Sequence, residues 1–266
     1  MSADDDSHNP ATATEPAPFA TKTPGREPVA RPLPRRFYAE VATAPSTTGT
    51  GHAILLDGRP ARTPGRRELR LPTTALATAV AAEWAAQVTL IDPARMPLTR
   101  LANTALDGVA IRMTEVAADI ASYATSDLLC YRADYPEGLA DRQRDLWDPC
   151  LAWASQTLSV RLQVVNGLMP VDQPADAGPK IVAAIASLDP FKMTALHVMT
   201  TLMGSALLAI AVVHGRLTAE AAWEAAHVDE DWQIADWGED AEAKTRRARR
   251  WSEMQAAAGM VKLAAP

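Results

Sequence analysis

The chain has 266 residues, 48% of them hydrophobic and 22% charged, with a formal net charge of -6. That length can bury an ample core in one large or two modest domains, and the composition is ordinary for a soluble globular protein. The acidic balance gives no reason to expect a nucleic-acid footprint, and two cysteines (Cys130 and Cys150) without a CxxC or an adjacent His speak against a zinc site or a disulfide framework and for a reducing compartment.

Residues 1–34 hold seven Pro and almost no bulky apolar side chain, so they are expected to form a disordered tail. This end has no basic stretch followed by an apolar one, as a secretory signal would. It is acidic from Asp4-Asp5-Asp6, unlike a transit peptide. The longest apolar run, Leu202 to Val213, already includes Gly204 and Ser205 and falls short of the ~20 residues of a membrane span. A soluble, cytoplasmic protein is expected.

From Phe37 to Leu71 the punctuation is that of short strands: Phe37–Val41, His52–Leu56, Arg62–Pro64 and Glu68–Leu71. Asp57-Gly58 suits a tight hairpin, because Gly accepts positive φ. Helices are expected from there on. Thr73 or Thr74 can cap Ala75–Gln87, and Leu98–Val109, Thr114–Tyr131 and Asp141–Leu158 follow. Arg161–Val165 reads as one extra strand. Pro179–Leu188, Pro190–His214, Thr218–Trp237 and Glu239–Leu263 complete the set, with Pro179 and Pro190 in first-turn positions and Gly215 as a stop. Strands followed by helices argue for an α+β fold. The expected organisation is a β-rich N-terminal domain over 35–112 and an all-helical C-terminal domain over 113–266.

Catalytic signatures are sparse. Gly49-Thr50-Gly51 lacks a third glycine and a following helix, no phosphate-loop pattern occurs, and Gly204-Ser205 lacks the flanks of a nucleophile elbow. No HExxH or His-x-Glu pattern is present; no metal site, cofactor or catalytic residue is assigned. Cys130, among Leu and Tyr, reads as a small hydrophobe. Arg100, Asn103 and Asp107 share one helix face, either as a polar network or as a ligand contact.

The densest feature is Asp229-Glu230-Asp231-Trp232-Gln233-Ile234-Ala235-Asp236-Trp237-Gly238-Glu239-Asp240, followed by the basic run Lys244 to Arg250. Carboxylates resist burial and Trp resists exposure, so a segment rich in both resembles a recognition surface. A plain surface helix is the other reading, with Val228, Trp232 and Ala235 facing the core and Asp240–Lys244 and Glu242–Arg246 as weak i,i+4 pairs. That reading leaves the Asp229–Asp231 cluster without a local basic partner. The residues assigned to partner binding are Asp229, Glu230, Asp231, Trp232, Gln233, Trp237, Gly238 and Glu239.

Several segments, in order and spacing, resemble a known family. They are Phe37-Tyr38 with Glu40-Val41, Leu56-Asp57-Gly58-Arg59-Pro60 with Thr63-Pro64, Glu83-Trp84 with Gln87, and Met96 through Ala105. Asp127-Leu128-Leu129-Cys130-Tyr131-Arg132, Trp147-Asp148-Pro149, Asp229-Glu230 with Trp232-Gln233, and Trp237 to Asp240 complete them. The family is that of assembly chaperones for the alpha subunit of the ATP synthase catalytic sector (the Atp-twelve type), and the resemblance runs from about Arg35 to about Leu263. It implies a β-containing N-terminal part followed by helices. It also implies a non-enzymatic chaperone that binds the unassembled alpha subunit, prevents its aggregation and yields it to the beta subunit, in the mitochondrial matrix where relatives have that organelle. An acid at the equivalent of Asp229-Glu230-Asp231 is critical in the family, and Glu230 is the residue chosen. The chain departs locally at Asp231-Trp232, where relatives can carry Glu and Tyr. Two other readings stay open: an enzyme using Arg100, Asn103 and Asp107 with the acids near Glu230, and a generic helical scaffold for another protein.

Overall fold

Bulky side chains begin to anchor the backbone just after the proline-rich stretch. The structure, a computed structural model, describes residues 32–167 and 169–265, so the expected disordered tail lies outside it except for residues 32–34. Strand β1 (Val41–Pro45) pairs antiparallel with β2 (His52–Leu56), Val41 opposite Leu56 and Pro45 opposite His52. Two short strands, β3 (Arg59–Pro60) and β4 (Arg70–Leu71), share the other edge of β2. The expected Asp57-Gly58 hairpin is present: both residues have positive φ, 48° and 74°, as a two-residue turn matched to strand twist requires.

The first strand starts four residues later than expected, for a local reason. The Asp57 carboxylate accepts the N–H groups of Ala39 and Glu40 at 2.9 and 2.8 Å, removing the donors a strand partner would have used. Tyr38 instead turns inward and donates its hydroxyl to Trp84 O at 2.8 Å. Arg62–Pro64 and Glu68–Leu71 shrink to one Arg62–Glu68 bridge and β4.

Helices follow. Thr73 caps α1 (Thr74–Ala85) by accepting from Leu76 N at 3.1 Å. Next come α2 (Pro97–Asp107), α3 (Met113–Ser122) and α4 (Glu137–Trp153), which runs on into a wider turn over Ala154–Leu158. The extra strand is two residues long: β6 (Val165–Asn166) lies parallel to β5 (Tyr131–Arg132). Next comes α5 (Ala177–Ile185), and three of the expected helices are split or shortened. The helix foreseen over Pro190–His214 is two, α6 (Pro190–Met203) and α7 (Ala206–Val213). Gly204 between them sits at φ 67°, a left-handed position that ends a helix, and Ser205 caps the next by accepting from Leu208 N at 3.1 Å. The helix foreseen over Thr218–Trp237 breaks at His227 into α8 (Ala219–Ala226) and α9 (Val228–Trp237), and α10 (Ala241–Leu263) closes the chain. The helix foreseen over Thr114–Tyr131 stops at Ser122 and gives way to short 3-10 turns and β5.

The architecture is thus α+β, a small antiparallel sheet followed by helices. Helix α7 is the centre of the core: every side chain from Ala206 to Val212 is buried. Each of Leu207, Leu208 and Ile210 stabilises the fold by about 1.5–3 kcal/mol on burial. Around it lie α6, α8, α4 and α10; α6 also touches α2 and α3, and α1 covers the sheet. No helix among the described residues is long and apolar enough to cross a membrane.

Candidate functional site

Helices α9 and α10 form a hairpin joined by Gly238, Glu239 and Asp240, and the acidic aromatic segment makes up α9 and the turn. Local chemistry explains part of the acidity. Asp229, Glu230 and Asp231 fill the first turn of α9, where the helix dipole favours negative charge, and Asp240 caps α10 by accepting from Ala243 N at 2.8 Å. The first half of α10 is mostly exposed, whereas Met254, Ala257, Met260 and Val261 bury its second half. The hairpin is therefore held at its base and presents its tip.

The structure divides the assigned residues into two groups. Glu230, Gln233, Trp237, Gly238 and Glu239 line one groove of about 710 Å³. Trp237 is 88% exposed there, and Glu230 is exposed and makes no hydrogen bond or ion pair among the described residues. Asp229, Asp231 and Trp232 turn elsewhere. Asp229 accepts from Gln143 Nε2 at 2.7 Å, and Gln143 Oε1 in turn accepts from Ala133 N at 2.8 Å. Trp232 lies against Gly138 of α4. Asp231 pairs with Arg247 at 2.5 Å, so the expectation that the acid cluster has no local cation is corrected.

That pair was invisible to i,i+4 reasoning because the turn at Gly238 folds α10 back along α9. The basic run from Lys244 supplies the groove's second wall, with Lys244, Arg246, Arg247 and Arg250. Lys244 meets Glu239 at 2.9 Å and Arg246 meets Glu242 at 2.8 Å. Arg250 donates to Leu202 O at 2.5 Å and stands over the Trp223 ring. Of the core face proposed for α9, Val228 is buried and Trp232 half-buried, but Ala235 is exposed.

Two ionisable groups beneath the hairpin are tuned by it. The hydrogen bond to Asp231 raises the Arg247 pKa above its ordinary value. Burial lowers that of His227, whose ring stacks 3.8 Å from Trp223 and whose Nδ1 lies 2.8 Å from Trp223 O. A neutral His227 that donates Nδ1–H to this carbonyl fits both facts. The hairpin base is therefore an aromatic stack rather than a charged one.

Arg100, Asn103 and Asp107 do not join this groove. Arg100 pairs with Glu253 at 3.3 Å beside a separate cavity of about 170 Å³, and the Asn103 side-chain oxygen is buried without a partner. Asp107 accepts from Thr63 Oγ1 and Gly65 N, both at 2.7 Å, and so ties α2 to the sheet. Burial pushes the thiols of Cys130 and Cys150 up to about 12, which keeps both protonated and weakly nucleophilic at neutral pH. Among the described residues no three His, Cys, Asp or Glu side chains are placed to hold a metal ion.

One family match and three solved structures bear on this arrangement. The family described as ATP12 chaperone protein matches residues 35–155. Atp12 from Paracoccus denitrificans is 44% identical, with a TM-score of 0.82 over 87% of this chain and 99% of that one. An Asp-to-Lys mutant of the same organism's Atp12p superposes with a TM-score of 0.81 at 44% identity, covering 87% and 98%. The Atu1473 protein of Agrobacterium tumefaciens is 46% identical, with a TM-score of 0.82 over 86% of each chain. The family match ends before α9, so it does not rest on the acidic hairpin.

Proposed function

The chain belongs to the ATP12 chaperone family, and from that premise we propose that it binds the unassembled alpha subunit of the ATP synthase catalytic sector, keeps it from aggregating and yields it to the beta subunit. The observation that carries the proposal is that Glu230, in the first turn of α9, and Trp237, in its last, line one groove of the α9–α10 hairpin. Glu230 is an exposed carboxylate without an ion pair among the described residues, and Trp237 is an indole left 88% exposed on the same groove. An exposed Trp has no folding role to offset its hydration cost, and an aromatic next to an unpaired charge is the composition of an interface anchor.

An orphan subunit presents a face that is part apolar and part basic where it would meet its neighbour. Trp237 and Ile234 would cover apolar surface, and Glu230 would pair with a client guanidinium. Asp231 and Glu239 already have cations of their own, which limits the grip to few charges and favours release when the permanent partner arrives. In this reading the chain is a binding protein without catalysis; the sequence carries no phosphate loop.

The test is suppression of light scattering by isolated alpha subunit. Glu230→Lys is expected to abolish it while helicity and melting temperature stay at wild-type values. A fully active Glu230→Lys protein would remove this residue from the interface.

A further inference from the structure

The β edge carries charge of the opposite sign. Between residues 35 and 70 there are seven Arg against three carboxylates, Glu40, Asp57 and Glu68, in a chain whose net charge is -6. Arg62, Arg66, Arg67 and Arg70 gather around one concavity of about 390 Å³ that also takes in Pro60 and Leu106. None of the four is ion-paired to a carboxylate among the described residues. Arg62 donates to Arg66 O at 2.9 Å, Arg67 to Leu106 O, and Arg70 to Thr48 O at 3.5 Å. Glu68, the acid in their midst, accepts from the hydroxyls of Ser46 and Thr48, and its second oxygen is buried without a hydrogen-bond partner.

The turn that displays these side chains is built against preference. Thr63 N donates to Arg67 O and Arg66 N to Thr63 O, both at 2.8 Å, which makes a three-residue hairpin. Its last position requires left-handed backbone, normally Gly or Asn, and Arg66 occupies it at φ 65°. Glycine stands one place earlier, at Gly65, because a Cβ there would meet Asp107 Oδ1 at 2.6 Å. A strained arginine in an exposed turn, kept beside three unpaired arginines, points to a use for its charge.

We propose that this arginine hairpin binds a carboxylate-rich segment of polypeptide, giving the chaperone a second client contact, one whose cations have no carboxylate partners among the described residues. The proposal rests on the reading that the client is a polypeptide. The donor set selects the ligand. The N–H groups of Thr63, Gly65, Arg66 and Arg67 are all engaged inside the turn or with Asp107, so no backbone cradle remains for a compact phosphate. Four separated guanidinium forks with Pro60 and Leu106 between them suit an extended chain of alternating acidic and apolar residues. No aromatic side chain lines the concavity, so a single-stranded nucleic acid would find no stacking platform.

The probe is a fluorescein-labelled peptide of alternating Glu and Leu, titrated with the full chain and followed by anisotropy. Saturable binding that weakens with salt is expected, reduced at least ~10-fold by the double change Arg62→Glu and Arg66→Glu. Arg66→Asn relieves the turn, so it should keep or raise the melting temperature while weakening the peptide roughly threefold or more. Glu230→Lys should leave the peptide affinity unchanged. Absence of binding, equal binding by the double variant, or tighter binding of single-stranded oligothymidine would overturn the proposal. A wild-type chain that binds the peptide but fails to hold alpha subunit counts against the proposed client alone; one that holds alpha subunit but ignores the peptide counts against the arginine site alone.

Discussion

Replacing Asp127 should cost more stability than any surface change in this protein. Its side chain is fully buried, with one oxygen accepting from Leu129 N at 3.1 Å and the other from Ala206 N and Leu207 N at 2.9 and 3.3 Å. It thereby caps the first turn of α7, the most buried helix, from a distant part of the chain. Asp127→Ala strands three buried donors at about 1–3 kcal/mol each. Water entering the vacated space recovers part of that, so a net loss of about 3–5 kcal/mol is expected. Asp127→Asn, which keeps one acceptor and the shape of the neutral acid, should lie close to wild type at about pH 4.

The pH dependence gives a sharper test. Burial lifts the Asp127 pKa from 3.8 to about 6, against the opposing pull of its hydrogen bonds from Ser205 and the backbone. A folded pKa above the unfolded one means a contribution fully present below about pH 4 and lost as pH rises through about 6. That rise, at about 1.4 kcal/mol per pH unit, amounts to about 3 kcal/mol. Relative to Asp127→Asn, which cannot titrate, wild type should therefore gain up to about 3 kcal/mol as pH falls from about 7 to 4, a comparison in which the rest of the chain's titration cancels. Urea unfolding at constant m-value measures it. A difference independent of pH would refute the argument that this carboxylate titrates inside the core, and an unchanged urea midpoint for Asp127→Ala the argument that it caps α7.

Other perturbations test neighbouring parts. Gly204→Ala meets no atom within 4 Å, so its cost is the left-handed backbone alone, about 1–2 kcal/mol, read as a shift of the urea midpoint. Arg247→Met leaves the half-buried Asp231 unpaired and should lower stability by about 1 kcal/mol, seen as a fall in melting temperature; no change would mean that the pair only decorates the surface. Cys130 and Cys150 should stay unlabelled by a thiol reagent at neutral pH and react together when urea unfolds the chain, as expected of buried thiols at about 12. Labelling of either in native conditions would mean that the core opens locally.

What could be read in advance was whatever a short window of residues determines. Thr73, Pro190 and Thr218 each mark a helix start, and in the structure Thr73 and Thr218 cap one while Pro190 opens one. Asp57-Gly58 likewise fixed its own hairpin. Gly204-Ser205 could have been read too, because a glycine stop followed by a serine cap spells a helix junction, but the apolar residues on both sides suggested one continuous helix. The end of α3 could not. It depends on Asp127 meeting α7 across 79 positions of sequence, which no local pattern encodes. The segment Asp127–Arg132, noticed only as part of a family resemblance, therefore has a structural explanation: Asp127 caps α7, and Arg132 lies over Trp147 while pairing with Asp148 at 2.7 Å.

The same distinction separates the two charged regions. The acidic hairpin announced itself because its residues are contiguous, yet contiguity overstated it. Folding gives Asp229 to Gln143 and Asp231 to Arg247, and leaves Glu230 as the one acid of that triplet free to act outward. The arginine hairpin has no such signature in the sequence, because its charges are spread along strand and turn, with none adjacent except Arg66-Arg67. Only the turn brings them round one concavity, and only the positive φ of Arg66 marks the turn as unusual. Local density of charge therefore overestimates a site where helix-dipole and cap effects account for part of it. It underestimates one where the fold gathers like charges without neutralising them. Unpaired charge after folding, rather than charge in the sequence, is the quantity that identifies surface available to a partner.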